Sequence, residues 1–295
     1  MSQATVLDLA QAHGLNLSAD GLGINEAGLD YRVVFAADEE GTDWVLRIPR
    51  RADVTEKIAD EARILDFVRS RISVAVPDWR VQTPELIAYP LLPGEPGLTL
   101  SDEGEPEWHF DIESVDYAAS LGRLIGELHS IDTADAAAAG IPTQTADDVR
   151  AEWSERLDTV SASFTIASEL SERWKAWLGN DRLWPEFTAF THGELYPAHL
   201  LLGGDSRIRS VLDWTTAKVG DPAIDFMYHW MISGPEAFQA ALDAYEQTTG
   251  RVPAMLAERS AEIVAAGPLN YAAFALISGE QEHADAAAAQ LNPQA

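Results

Sequence analysis

Two prolines and two glycines fall within the six residues Leu92-Pro-Gly-Glu-Pro-Gly97. Proline has no amide hydrogen to donate and glycine loses the most backbone freedom on ordering, so neither a helix nor a central strand runs through such a block. It divides a chain of 295 residues, enough for one large domain or two joined lobes. Upstream the apolar pattern has the period of strands. Tyr31-Arg-Val-Val-Phe-Ala-Ala37 and Asp43-Trp-Val-Leu-Arg-Ile-Pro49 flank Asp38-Glu-Glu-Gly-Thr42, a hairpin signal. Trp44, Leu46 and Ile48 then share one face and Val45 and Arg47 the other. A helix is expected next, opened by a capping box at Asp53-Val-Thr-Glu56, with Ile58, Ala62, Leu65, Val68 and Ile72 as its apolar stripe. Glu61 falls inside that stripe, and a carboxylate on a buried face needs a cationic partner. Two short strands are expected around 74–81 and 86–91.

Downstream, residues 102–116 read as an acidic, solvated surface insertion, and the rest as helices at 115–131, 145–160 and 167–178, with several more after Pro222. Ala134–Ala139 and Ala286–Ala289 read as helix or tail. The expected fold class is α+β: a sheet lobe at 1–91, a hinge at 92–97 and a helical lobe at 98–295. A hydrophobic content of 46%, with nine Trp, is enough to bury a large core. Lys and Arg number 20 against 48 Asp and Glu, for a net charge of −28. That charge repels nucleic acid and anionic membrane surfaces and attracts a cationic small molecule. Cysteine is absent, which excludes disulfides, thiolate nucleophiles and Cys-ligated zinc. Met1 to Asp20 shows no signal peptide, and the longest apolar stretch, 263–277, is interrupted by Gly267, Pro268 and Asn270. A soluble, cytoplasmic protein is expected.

Chemistry concentrates in Phe190-Thr-His192-Gly-Glu194-Leu-Tyr-Pro-Ala-His199-Leu-Leu-Leu202 and Ile208-Arg-Ser-Val-Leu-Asp213-Trp214. The Gly203-Gly-Asp-Ser206 turn between them predicts a hairpin that brings His199 toward Asp213, so that His192, Glu194, His199 and Asp213 converge on one cleft. Zinc fits poorly: His-x-Glu-x-x-x-x-His is not the zincin spacing, Pro197 breaks any helix there, and the zinc deaminase pattern needs cysteines. A carboxylate with a neutral imidazole and water suits Mg²⁺. No Walker A motif is present. The Gly-rich stretch 21–28 precedes a strand, which suits either an ordinary turn or a hairpin loop over phosphates.

This order of features resembles the aminoglycoside phosphotransferase-like kinases, relatives of protein kinases, and in particular their macrolide 2′-phosphotransferase branch. The resemblance rests on Trp44-Val-Leu-Arg-Ile-Pro-Arg-Arg51, His192-Gly-Glu-Leu-Tyr-Pro-Ala-His199 and Asp213-Trp-Thr-Thr-Ala-Lys-Val-Gly-Asp-Pro-Ala-Ile-Asp-Phe226, within a region covering roughly residues 20–280. It implies a protein-kinase-like two-lobed fold with a small antiparallel-sheet lobe. It also implies that Arg47 contacts phosphate with Glu61 as its ion-pair partner, that Ala88, Tyr89, Pro90 and Leu91 hold the purine, and that His199 and Asp213 ligate Mg²⁺. Glu194 takes the place of the superfamily's catalytic Asp, His192 braces the catalytic loop, and His199 stands where the wider superfamily has Asn. The implied donor is GTP, with ATP as the alternative, and the implied acceptor is the 2′-hydroxyl of a cationic macrolide. Trp230, Met231, Tyr271 and Phe274 either line the acceptor groove or belong to the core, and Asp221 and Asp225 either attract the amine or are structural. The rival readings are another small-molecule kinase, acting on an aminoglycoside or a metabolite, and a nucleotide-binding pseudokinase. A monomer is expected.

Overall fold

The carboxylate of Asp38 shapes the first turn: its Oδ1 accepts hydrogen bonds from the backbone N–H of Glu40 at 3.0 Å and of Thr42 at 2.8 Å. Short polar side chains that bond backbone two to four residues on are the usual makers of such turns. The computed structural model describes residues 2–26, 30–101 and 103–293, and of Ala52 and Asp53 the backbone alone. In chain order it contains α1 (Gln3–Ala12), β1 (Gly23–Asn25), β2 (Tyr31–Ala37), β3 (Asp43–Pro49), α2 (Ala52–Val68), β4 (Val81–Gln82) and β5 (Ile87–Pro90). Then come β6 (Glu95–Pro96), β7 (Leu98–Leu100), β8 (Pro106–Trp108), α3 (Val115–His129), α4 (Thr133–Ala138), α5 (Ala146–Ser163) and α6 (Ser168–Leu178). The remainder is β9 (Ala189–Thr191), β10 (Leu200–Leu202), β11 (Ile208–Val211), β12 (Lys218–Gly220), α7 (Met227–Ile232), α8 (Pro235–Thr249), α9 (Leu256–Ala265), α10 (Gly267–Ser278) and α11 (Gln281–Leu291). An antiparallel sheet near the N-terminus and a helical C-terminal region make this the expected kinase-like α+β fold.

Two compact units form, one from Met1–His109 with Pro197–Thr215, the other from Phe110–Tyr196 with Thr216–Ala295. These units do not follow the linear division at 91 and 97. Inside the expected hinge, Glu95 and Pro96 form β6, which pairs with β10. Gly94 sits at φ +101°, where a β-carbon would come within 2.9 Å of the Leu201 backbone. The Pro/Gly block is therefore the edge of a sheet, a place where proline's missing donor costs nothing.

In the first unit the sheet order is β1-β2-β3-β5-β4. The alternation in β3 sorts as expected. Leu46 and Ile48 pack with Val6 and Ala10 of α1, while Val45 packs with Tyr31, Ile87, Tyr89 and Val54 and Ile58 of α2. Helix α2 starts at Ala52, earlier than the capping box suggests, with Arg51 as an extended N-cap that makes no side-chain cap bond. The side chain of Asp53 lies outside the described residues. The helix ends at Val68, so Ile72 falls beyond its stripe. The strand expected at 74–81 shrinks to β4 and a single bridge from Ala75 to Ser210, since Pro77 interrupts any ladder.

In the second unit, α3, α5 and α6 occupy the three helices expected. Ser114 caps α3 by accepting from the Tyr117 amide at 3.2 Å, and Thr145 with Asp148 forms a capping box on α5. Helix α3 packs along α8. Strand β9 pairs with β12, setting Phe190 opposite Val219. Most described residues between 103 and 116 are exposed, as their acidity suggests. No single helix among the described residues is long and apolar enough to cross a membrane.

Candidate active site

In the first unit, Arg47 sits mid-strand on the β3 face that meets α2. Its Nη1 donates to Glu61 Oε1 at 2.9 Å, with the Glu61 side chain 1% exposed. The Tyr31 ring lies against the guanidinium, 4.0 Å from its centroid. Burial pushes the Glu61 carboxyl above the ordinary range, and Arg47 and the Trp214 backbone N–H oppose that push. Burial would lower the pKa of Arg47, but Glu61 together with Tyr89 and Tyr31 outweighs it and the guanidinium stays charged. Burial likewise raises the phenols of Tyr31 and Tyr89 to about 12. A cation on a neutral aromatic floor results, anchored from behind by a carboxylate.

The hairpin β10–β11 returns the chain as its sequence predicts. The Leu212 amide donates to the His199 carbonyl at 2.8 Å, and His199 Nε2 faces Asp213 Oδ2 across 3.8 Å. Asp213 is left-handed at φ +57°, a region that Asp tolerates better than most residues. The Thr215 hydroxyl donates to its Oδ1 at 2.6 Å, which fixes the carboxylate's orientation. A cavity of about 930 Å³ opens within this unit. Tyr31, Val33, Val45, Tyr89 and Leu92 supply its apolar wall, and Arg47, His199 and Asp213 its polar groups. An imidazole nitrogen and a carboxylate oxygen facing one cavity fit a hard divalent cation that completes its shell with water and phosphate.

The four expected purine-binding residues divide. Tyr89 and Leu91 line the cavity. Ala88 does not: strand alternation turns it into the opposite core beside Leu46 and Leu86, and its carbonyl accepts from the Arg80 amide. Pro90 has no amide to offer, and the Leu91 amide is committed to the Asp43 carbonyl at 2.7 Å.

In the second unit, His192 is fully buried and its Nδ1 accepts from the Glu194 amide at 3.2 Å. Gly193 sits at φ +86°, and a β-carbon there would lie 3.0 Å from the Thr216 carbonyl. Glu194 is partly buried, with the Tyr228 hydroxyl 3.5 Å from its Oε1. Burial raises the Tyr228 phenol and the Glu194 carboxylate raises it further, so Tyr228 remains a donor. Asp225 occupies a structural place. It is 1% exposed, and its two oxygens accept from the amides of Gly193 at 2.7 Å and His192 at 3.1 Å. Asp221 is also structural: it caps the Pro222–Phe226 turn through the Ala223 amide and pairs with the buried Arg259. Trp230, Met231 and Phe274 are 37, 49 and 44% exposed, which removes them from the core. Tyr271 is half-buried and bonded to His283 Nδ1 at 3.0 Å.

Three residues of this second unit escape a reading of the sequence: Tyr228 at Glu194, and His129 and Tyr245 behind Asp225. His129 offers only the weak signal of a histidine ending an apolar helical stripe.

Residues 23–259 match the phosphotransferase enzyme family, APH. The chain is 50% identical to macrolide 2′-phosphotransferase MphH from Brachybacterium faecium, solved as the apoenzyme, with a TM-score of 0.95 over 99% of this chain and 98% of that one. A macrolide 2′-phosphotransferase type I structure is 39% identical, with a TM-score of 0.90 over 98% of this chain and 96% of that one. The uncharacterized protein YcbJ of Bacillus subtilis (strain 168) is 37% identical over 281 residues, 94% of this chain and 92% of its own. A family match spanning both the Arg47–Glu61 strand and helix and the 190–226 motifs places this chain in the phosphotransferase enzyme family, within the aminoglycoside phosphotransferase-like superfamily.

Proposed function

We propose that this enzyme transfers the γ-phosphoryl group of GTP to the 2′-hydroxyl of a macrolide's amino sugar, inactivating the antibiotic in the cytoplasm. The observation that carries the reading is the 50% identity to the macrolide 2′-phosphotransferase MphH over nearly the whole of both chains. A net charge of −28 suits a cationic acceptor.

The purine lies on the apolar wall of the first unit's cavity, and Arg47, held by Glu61, meets the phosphates. His199 and Asp213 would hold Mg²⁺, which when bound neutralises phosphate charge and aligns the γ-phosphoryl group. Glu194 accepts a hydrogen bond from the acceptor hydroxyl and thereby orients it. The hydroxyl oxygen bonds to the γ-phosphorus as the bond to the β–γ bridging oxygen breaks, GDP leaves, and the hydroxyl proton passes to Glu194. Phosphoryl transfer has a loose transition state that asks mainly for positioning and charge compensation, and this arrangement supplies both. Mass spectrometry of erythromycin after incubation with GTP, Mg²⁺ and the enzyme tests the reading. A gain of one phosphate is expected, with ATP in parallel to set donor preference. Unmodified erythromycin with either nucleotide overturns it.

A further inference from the structure

We propose that Arg32, Arg50 and Arg51 are positioning residues for the nucleotide, fixing through Glu26 and Asp30 the two ends of the β1–β2 connection at the rim of the first unit's cavity. The proposal rests on the reading of that cavity as the purine nucleotide's site. Arg50 and Arg51 close the Trp44–Arg51 segment, where phosphate contact by Arg47 leaves them without a task. Their side chains turn instead to the neighbouring hairpin. Arg50 Nη2 donates to Glu26 Oε2 at 2.5 Å and to the Glu26 carbonyl at 2.8 Å, while its backbone N–H donates to the Asp30 carbonyl at 2.9 Å. Arg32 Nε donates to Glu26 Oε1 at 2.5 Å, and Arg51 Nη2 to Asp30 Oδ1 at 2.8 Å. Arg50 thus ties both ends of the connection.

Strand alternation separates this clamp from the ligand's side. Tyr31 and Val33 of β2 line the cavity, as do Asp30 and Asn25, which pairs with Val33. Arg32 stands between Tyr31 and Val33 and so belongs to the opposite face, with Val34 and Ala36, which pack on α1. None of Glu26, Arg32, Arg50 and Arg51 lines the cavity. The arginines therefore act on the rim from behind. Hydrogen bonds from Arg32 and then Arg50 hold the Glu26 carboxyl below the ordinary carboxylate range, so it stays ionised and keeps both partners. Pairs this exposed add little to the stability of the fold, but two guanidinium groups on one carboxylate fix its direction. A rim ordered only on binding costs the ligand conformational entropy, and a rim fixed beforehand does not.

The test is titration calorimetry on the full chain with a non-hydrolysable GTP analogue and Mg²⁺. Glu26→Gln decides, because two explanations of the cluster differ in sign. If the acid merely repels phosphate, removing its charge tightens binding; if it is the arginines' hold on the rim, binding weakens. We expect a loss of about three- to fivefold in Glu26→Gln and about five- to tenfold in Arg50→Gln, which gives up two bonds, with Arg50→Lys between Arg50→Gln and the parent. The double variant should bind no more weakly than Arg50→Gln, since both changes break one contact. Melting should stay near the parent temperature, and in the erythromycin assay the loss should fall on KM for GTP rather than on kcat. Binding by Glu26→Gln as tight as the parent's or tighter overturns the proposal, as does a loss in the double variant equal to the product of the single losses. If the parent binds the analogue but phosphorylates no macrolide, the proposed function falls while these affinities still decide the clamp. If the parent binds no nucleotide, both fall.

Discussion

Glu194, proposed above to receive the acceptor's proton, has the Tyr228 hydroxyl 3.5 Å from its Oε1. A displacement of about 1 Å in a reacting group can cost ~100-fold in rate. Glu194→Ala should therefore lower kcat for macrolide phosphorylation by about 100-fold or more with little change in nucleotide affinity, whereas Glu194→Asp should keep activity. Steady-state kinetics beside nucleotide titration checks this, and an alanine variant as fast as the parent would mean the proton goes elsewhere. At the proposed metal pair, His199 and Asp213, Asp213→Asn keeps a side chain suited to the left-handed backbone and removes only the charge. Turnover should fall further in Asp213→Asn than in His199→Ala, because the carboxylate compensates more of the cation's charge than a neutral imidazole. Both should melt near the parent temperature; parent-like rates at saturating Mg²⁺ in either variant would remove that residue from the ligand set.

Between elements, contacts that few residues make carry much of the stability. Arg47 on β3 and Glu61 on α2 tie the helix to the sheet through a buried pair. Removing one partner of such a pair typically costs ~3–5 kcal/mol, because the other charge stays buried without compensation. Glu61→Ala should lower Tm by on the order of 10 °C and weaken GTP binding, as the freed guanidinium loses its fixed direction. Unchanged melting and affinity would dissolve the pairing. The approach of α3 to α8 depends on Gly122, where a β-carbon would overlap the Ala241 carbonyl. Backbone cannot retreat as a side-chain tip can, so Gly122→Ala should force the helices apart at a cost of about 1–3 kcal/mol, read as a lowered urea midpoint. An unshifted midpoint would mean the helices separate freely. The ends of β2 and β3 were legible because their turn is made by Asp38 within four residues. The place of β6 was not: a Pro/Gly block reads locally as a hinge, and its pairing partner β10 lies more than a hundred residues on.

For the molecule as a whole, the net charge of −28 acts on both proposed substrates with opposite sign. It draws a cationic macrolide and repels a nucleoside triphosphate. Salt shortens the reach of both effects, the screening length falling from ~10 Å at 0.1 M to ~3 Å at 1 M. Raising ionic strength should therefore increase KM for the macrolide by at least about twofold and leave KM for GTP level or lower. A macrolide KM indifferent to salt would assign the acidity to solubility alone. Much of this chain is written in short-range pattern. Strand alternation put Arg47 on the face of Val45, an acid in an apolar stripe announced a cationic partner, and a turn between apolar runs brought His199 to Asp213. Such signals survive in sequence because each depends on neighbours a few residues away, or on a charge that must be compensated wherever its partner lies. Folding at long range settled the rest. Asp225 and Asp221 look alike in a motif that suggests ligands, yet both are consumed inside the second unit by groups up to 96 residues distant in sequence. Ala88 and Tyr89 are neighbours in one strand, but only the packing of helices on the two sheet faces decides which looks into the cavity. Burial turns a polar side chain from a candidate ligand into a structural bond, and burial is a property of the assembled chain rather than of any segment of it.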